Sequence, residues 1–275
     1  MAFTGIDDIA KGLIAGRKTF FNKITASSLA GVLQSLWTTT GSPAAGAIPV
    51  AAAICTSALA GALPLHARTG GQERIIAFLE AYCQNAFNSL EIEDRLLHMG
   101  GLNGTLTTAQ TVGLDASLTG NNLVQRVGST DYSDLEWFLE WYATTGVTVS
   151  TPTLAVTYND NAIGTATIIN PLTGAGILPA SVTAGRRYQI FGAKPIKSIQ
   201  SATLSASTGT AGNFGVTCRR RLMEIDTVTA FGRVVKDFAS GGSPLIYDEA
   251  CLAFSCLPVT TSTGAWSGSI KQAVN

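Results

Sequence analysis

From residue 135 to 142 the chain alternates without interruption. Leu135, Trp137, Leu139 and Trp141 fall on one side, and Glu136, Phe138, Glu140 and Tyr142 on the other. A period of two belongs to a β-strand, because helical spacing would mix the two sets. The rhythm recurs. Leu90, Ile92, Asp94 and Leu96 alternate with Glu91, Glu93, Arg95 and Leu97 before Gly100-Gly101, which is expected to break the run. Leu154, Val156 and Tyr158 repeat it, and residues 159 to 164 supply a hairpin loop into a partner at 165 to 169. Residues 187–191, 196–205, 214–222, 251–257 and 266–270 are further strand candidates, with separators at 207–212 and 260–264 rich in Gly, Ser and Thr. Many short strands without βα alternation predict a mainly β chain, an antiparallel β-sandwich or jelly roll. No repeat of 20 to 50 residues marks a propeller or solenoid.

The first third follows other rules. Ile6, Ile9, Leu13 and Ile14 predict a short amphipathic helix, and Leu29, Val32, Leu33, Leu36 and Trp37 fit a second, with Ser27 or Ser28 as N-cap and Gly41 beyond its end. That second helix would carry Ala30, Gly31, Gln34 and Ser35 on its other face, where a solvated helix normally shows Lys and Glu. It is expected either to be buried on its own domain or to dock on a partner. Residues 42 to 72, broken by Pro43, Pro49 and Pro64, read as an extended arm, with a flexible linker as the alternative. Residues 74 to 83 fit helix or alternation and lean towards strand. The expected organisation is therefore an N-terminal helical and extended arm, 1–72, followed by a β-sandwich, 73–275. Leu29, Val32, Leu33, Leu36, Trp37, Ile48 and Val50 are the expected partner-interface residues.

Charge bears on what the outside of this fold can do. Only 13% of the 275 residues are Asp, Glu, Lys or Arg, against roughly 25% in an ordinary soluble protein. No charged side chain occurs between Lys23 and His66, and the formal net charge is zero, so no long-range field attracts nucleic acid or anionic lipid. Weak colloidal repulsion favours self-association. Five cysteines without CxxC spacing read as buried hydrophobes in a reducing compartment, and the first residues lack a secretory signal, so synthesis in a cytoplasm is expected. Residues 41 to 65 are long enough to span a bilayer, but small residues and three prolines argue against it.

Candidate chemistry is thin. On one strand face, Glu136 and Glu140 would lie roughly 13 Å apart, outside the separation of about 5 to 9.5 Å used by glycosidases, so they are expected at solvated or interfacial positions. Glu91, Glu93, Asp94 and His98 are the densest potential metal ligands, yet with only two histidines they read better as structural. There is no GxSxG elbow and no phosphate loop. Arg219, Arg220 and Arg221 would alternate across a strand and suit ion pairs or an edge better than a nucleic-acid patch. No catalytic, cofactor-binding or metal residue is expected. Trp137, Trp141, Tyr142 and Trp266 are the conceivable stacking platforms of a glycan-binding module, although alternation places the first two with core leucines.

Residues 94 to 102 (DRLLHMGGL), Thr107-Thr108-Ala109-Gln110-Thr111, residues 137 to 142 (WFLEWY) with Gly146, Ser35-Leu36-Trp37, residues 41 to 46 (GSPAAG) and residues 209 to 215 (GTAGNFG) together resemble virion structural proteins from the head modules of tailed bacteriophages and prophages. The resemblance runs along most of the chain. It implies a non-enzymatic decoration or cement subunit, a β-sandwich or jelly roll that forms dimers or trimers. Its partners would be the major capsid protein and copies of itself, with assembly in the host cytoplasm and final location in the virion. It brings no catalytic residue or cofactor. The long spine helix of a shell subunit has no counterpart here, and a tail, neck or fibre component is the alternative.

Overall fold

The computed structural model describes residues 3–25, 28–209, 212–261 and 264–275. The candidate cap Ser27 and loop residues Thr210, Ala211, Ser262 and Thr263 lie outside the described residues. Helix α1 (Ile6–Ala15) is followed by short strands β1 (Lys18–Ile24), β2 (Gln34–Ser35), β3 (Gly41–Ser42) and β4 (Ala53–Ile54). Then come β5 (Arg74–Cys83), the long β6 (Asn88–Asn103), β7 (Gln110–Asp115), the single turn α2 (Leu123–Arg126) and β8 (Glu136–Trp141). Strands β9 (Pro152–Tyr158), β10 (Ile163–Asn170), β11 (Gly174–Ala175), β12 (Arg187–Phe191) and β13 (Ile196–Leu204) follow. The last are β14 (Asn213–Thr227), β15 (Val234–Asp237), β16 (Leu252–Pro258) and β17 (Ala265–Val274).

All pairings are antiparallel, and they build two sheets. One has five strands in the order β15-β5-β17-β1-β3. The other runs β2-β16-β6-β14-β8-β12-β10-β9-β13-β7, with β4 added to β6 and β11 to β10. This is a sandwich-like β-fold, as the alternation predicts, and residues 74 to 83 are a strand. The longer sheet curls, so that residues from β6 to β10 and from β12 to β14 meet in one core: Trp137, Leu139 and Trp141 face Leu154, Ile168, Tyr188, Ile199 and Phe214. A second core fills the space between the sheets, where Leu90, Ile92, Leu252 and Phe254 meet Phe21, Leu79, Trp266 and Ile270. At about 1.5–3 kcal/mol for each large side chain removed from water, these layers are the chief source of stability.

The helix α1 forms as expected and lays Ile9 and Leu13, with Phe3 just ahead of it, on Ile75, Ala77 and Ala273, while Ile6 and Ile14 stay exposed. The second helix does not form. Gly31 adopts φ +75°, which breaks any helix there, and Gln34 and Ser35 instead extend the edge of β16 opposite Cys256 and Ser255. The helical spacing of apolar residues is satisfied by tertiary contacts: Leu36 enters the core between the sheets, while Trp37 packs with Cys55, Ala62, Cys251 and Ala253. Short edge pairing with buried anchors has overridden local propensity.

Residues 1–72 are accordingly no free arm. Strand β1 pairs along seven residues with β17, and β4 pairs with β6 through Ala53–His98 and Ile54–Leu97. From residue 29 to 63 the chain forms a strap across the outer face of the curled sheet. Lys23, buried on β1, anchors it by donating from Nζ to the carbonyls of Thr39 (3.1 Å) and Ala44 (3.3 Å). Burial lowers this amine to about 8. Further along, Gly100-Gly101 do not end β6, which continues to Asn103. The two glycines let the strap approach: a Cβ on Gly100 would stand 2.2 Å from Cγ2 of Ile48, and one on Gly101 2.7 Å from the carbonyl oxygen of Val50.

Candidate functional site

Under the strap lies an ionic lattice. Successive outward positions of β6 carry Glu91, Glu93 and Arg95, and β8 contributes Glu136, Phe138 and Glu140 beside them. Arg187 comes from β12, Arg219 and Arg221 from β14, and Ser255 from β16. Arg187 is the hub: its Nη1 donates to Glu93 Oε2 (2.6 Å) and to Ser255 Oγ (2.7 Å), and its Nε donates to Glu140 Oε2 (2.8 Å). Arg95 donates to the same Glu140 oxygen at 3.0 Å. Arg219 reaches Glu91 (2.5 Å), Glu93 (2.7 Å) and Glu136 (2.7 Å). Arg187 and Arg219 both lie over the ring of Phe138, and Arg95 lies over Trp37. Four glutamates thus meet four arginines, once the half-exposed Arg221 near Glu91 is included.

Asp94 points the other way along β6. Arg126 of α2 grips it with two bonds, Nε to Oδ2 at 3.0 Å and Nη2 to Oδ1 at 2.7 Å, and also donates to the carbonyls of Cys55 and Arg95. The neighbouring His98 is fully buried. Arg95 Nη2 stands 3.2 Å from its Nδ1, and since a guanidinium can only donate, Nδ1 is the acceptor. The ring is then the neutral Nε2–H tautomer, donating to Tyr142 Oη at 2.5 Å. Burial, reinforced by Arg95, holds the His98 pKa well below its ordinary value, and burial raises Tyr142.

Burial would raise the two inner carboxyls, but the guanidiniums outweigh it. Arg187 and Arg219 hold Glu93 well below the usual carboxylate range, and Arg187 and Arg95 hold Glu140 down at about 2. Glu91 goes the other way, raised by burial despite Arg219. In return, Glu140 and Glu93 overcome burial to raise Arg187. These charges are locked in mutual pairs in a low-dielectric layer, which makes the lattice a fixed electrostatic clamp joining five strands. It opens to solvent at a cavity of about 250 Å³ lined by Leu33, Phe138, Arg187, Gln189, Arg219 and Arg221.

Several expectations need correction here. Glu140 is completely buried and not a solvated position, whereas Glu136 stays partly exposed at the rim. Arg219 is an internal ion-pair partner, whereas Arg220 faces the opposite side with its guanidinium over Tyr247. Of the expected interface residues, Val32, Leu36 and Trp37 are buried in the protein's own cores, and Leu29 and Leu33 are partly covered. They are consumed by the strap's own packing. Ile48 and Val50 are exposed, Val50 by 81%. Trp137, Trp141 and Trp266 are buried, which removes them as stacking platforms for a glycan. Sequence reasoning missed Arg187 and Ser255 altogether. The available signal was the parity of Glu91, Glu93 and Arg95, and of Glu136 and Glu140, on strands whose other positions are apolar. All five cysteines are buried free thiols. Among the described residues no three His, Cys, Asp or Glu side chains converge as a metal site requires, and no helix is long and apolar enough to cross a membrane.

The geometry defines a class: an antiparallel, sandwich-like β-protein with a buried ionic clamp. No protein-family model and no curated protein matches the sequence. Solved structures that align with it include a mutant VP2 protein of infectious bursal disease virus in derived T=1 particles, at 8% identity over 94% of this chain and 77% of that one, with a TM-score of 0.19. A structure of the Gx strain of the same virus aligns at 8% identity over 94% and 80% of the two chains, with a TM-score of 0.17. Superpositions this loose carry no argument about fold or function.

Proposed function

We propose that this protein is a structural component of a virion, a decoration or cement subunit of a tailed-phage head that binds the major capsid protein and copies of itself. The role is architectural and not enzymatic. One observation carries the reading: twelve of the 18 acidic and 18 basic side chains are buried, leaving only 24 to cover an accessible surface of 11058 Å². Large apolar side chains sit on that surface. Phe87, Val228 and Val259 flank Asn88, Thr227 and Pro258, which are in register at one end of the sheets, and Phe231 is tied to the same end by the hydrogen bond its amide donates to the Cys83 carbonyl. Ile48 and Val50 add an exposed pair on the strap.

Covering such surface stabilises a contact by about 25 cal/mol per Å² with little charged desolvation to oppose it, and many weak contacts add across a symmetric lattice. The test is association. Analytical ultracentrifugation should show self-association, and the protein should co-sediment with capsid shells. Phe231→Asp and Val50→Asp should reduce both without lowering the thermal midpoint. A monodisperse monomer that never co-sediments with shells defeats the proposal, and signal confined to one vertex in electron micrographs of labelled particles would reassign it to a tail or neck.

A further inference from the structure

Two of the buried cysteines occupy an unusual position. Strands β4 and β16 both run antiparallel to β6 along the same edge, one ending where the other begins: Ile54 is in register with Leu97, and Leu252 with Asp94. Between them the Cys55 amide donates to the Leu96 carbonyl at 2.9 Å, and the Arg95 amide donates to the Cys251 carbonyl at 2.9 Å. The two cysteines therefore hold successive places on one strand edge. The register of β6 against β14 slips at this level, between Cys218 and Arg219, so successive places need not face opposite sides. Both side chains sit in one packed cluster with Trp37, Ala62 and Ala253. Cys55 belongs to the strap, and Cys251 belongs to the body.

We propose that Cys55 and Cys251 are a latent disulfide that staples the strap over the ionic clamp when the protein meets an oxidising thiol–disulfide environment. The chemistry around them is suited to exchange. The two thiols interact within their packed cluster, which lowers Cys55 and raises Cys251, with Arg95 and Arg126 adding to the lowering of Cys55. Cys55, on the strap that lifts and held beside the Arg126 guanidinium through its carbonyl, is the attacking thiolate in this scheme. It displaces one thiolate from a small disulfide such as oxidised glutathione, which leaves carrying a proton and creates a mixed disulfide. Cys251 then loses its proton to solvent and attacks the Cys55 sulfur, releasing the second thiol. Two protein thiols are oxidised and one disulfide is reduced to two thiols. Because both sulfurs are buried, the reaction proceeds through local lifting of the strap, so its rate measures that opening. The other cysteines are differently placed: Cys83 accepts from Asn88 at 3.5 Å, and Cys218 lies in the core of the curled sheet.

The experiment uses full-length reduced protein incubated natively with oxidised glutathione, followed by alkylation, intact mass measurement and peptide mapping. Before alkylation the expected product is about 2 Da lighter, as loss of two thiol hydrogens requires. It carries three alkylated thiols of the five present and yields one linked peptide joining Cys55 to Cys251. Amide exchange across the strap should slow by about tenfold or more, reversibly with dithiothreitol, since a cross-link between distant residues restricts opening. Cys55→Ala should abolish the shift, and the mapping on the unmodified sequence stands even if that variant folds poorly. The proposal is overturned if all five thiols remain alkylatable after the strap amides have exchanged. It is equally overturned if the mixed disulfide at Cys55 persists, or if the link joins Cys83 to Cys256 or joins two chains.

Discussion

Replacing Arg187 by methionine tests the clamp most directly. The substitution keeps most of the side-chain length over Phe138 but removes the cation shared by Glu93 and Glu140, both completely buried. Breaking a buried pair from one side typically costs about 3–5 kcal/mol, because the surviving charge has neither water nor partner. Two carboxylates are stranded here, but Arg219 still holds Glu93 at 2.7 Å and Arg95 still holds Glu140 at 3.0 Å, so the lower part of that range, about 3–4 kcal/mol, is the better figure. For a chain of this size that corresponds to a drop of roughly 6–16 °C in thermal midpoint. Differential scanning calorimetry measures it, and Glu140→Gln in the same background should restore part of the loss. The pH dependence supplies a second reading. Without Arg187 the Glu140 carboxyl moves up from about 2 towards its unfolded value, so the variant should lose less stability than the parent as pH falls below 4.5. A loss under about 1 kcal/mol, or no recovery in the double variant, refutes the view that these side chains clamp the strands.

Three shorter predictions follow from the same contacts. Gly100→Ala should destabilise by about 1–3 kcal/mol, since its Cβ would collide with Ile48 and force the strap away, and strap amides should exchange faster in hydrogen-exchange mass spectrometry. His98 is held neutral, with its folded pKa below the unfolded 6.5, so the unfolded state takes up the proton first. Its contribution is complete above 6.5 and is lost on acidification, at up to about 1.4 kcal/mol per pH unit, and His98→Gln should flatten the stability profile between pH 6.5 and 5 in urea titrations. Deleting residues 1–66 should unfold the protein, as judged by lost near-ultraviolet dichroism, because it strips β1 from β17 and takes Phe21, Leu36, Trp37 and Leu63 from the cores.

Strands were legible wherever one face is apolar and the other more polar, as in β8 and β9, because the two-residue period is a direct imprint of the pleat. The helix α1 was equally plain. What misled was the strap. Leu29, Val32, Leu33, Leu36 and Trp37 have helical spacing, yet their contacts lie in different cores, and nothing local distinguishes a helix face from a strap whose anchors drop into separate pockets. The clamp was half visible. Glutamates at positions 91, 93, 136 and 140 share strand parity, and so do Arg219 and Arg221, but polar residues on alternate positions normally mean solvent. Only the placement of the neutral strap over that face shows them to be interior. Arg187 has no neighbour in sequence that marks it, since its partners come from β6, β8 and β16.

The ionic clamp also changes how this protein meets its surroundings. With twelve charges enclosed, the twenty-four that remain are spread over 11058 Å², about one per 460 Å². Evenly placed, they would stand roughly 21 Å apart, more than twice the Debye length of about 8 Å in physiological saline. Apart from local pairs such as Arg68 with Asp248 and Lys194 with Asp160, the surface charges are therefore too sparse to build a continuous field. Ionic strength should tune the encounters of such a molecule very little, and shape and apolar fit are left to choose what it touches.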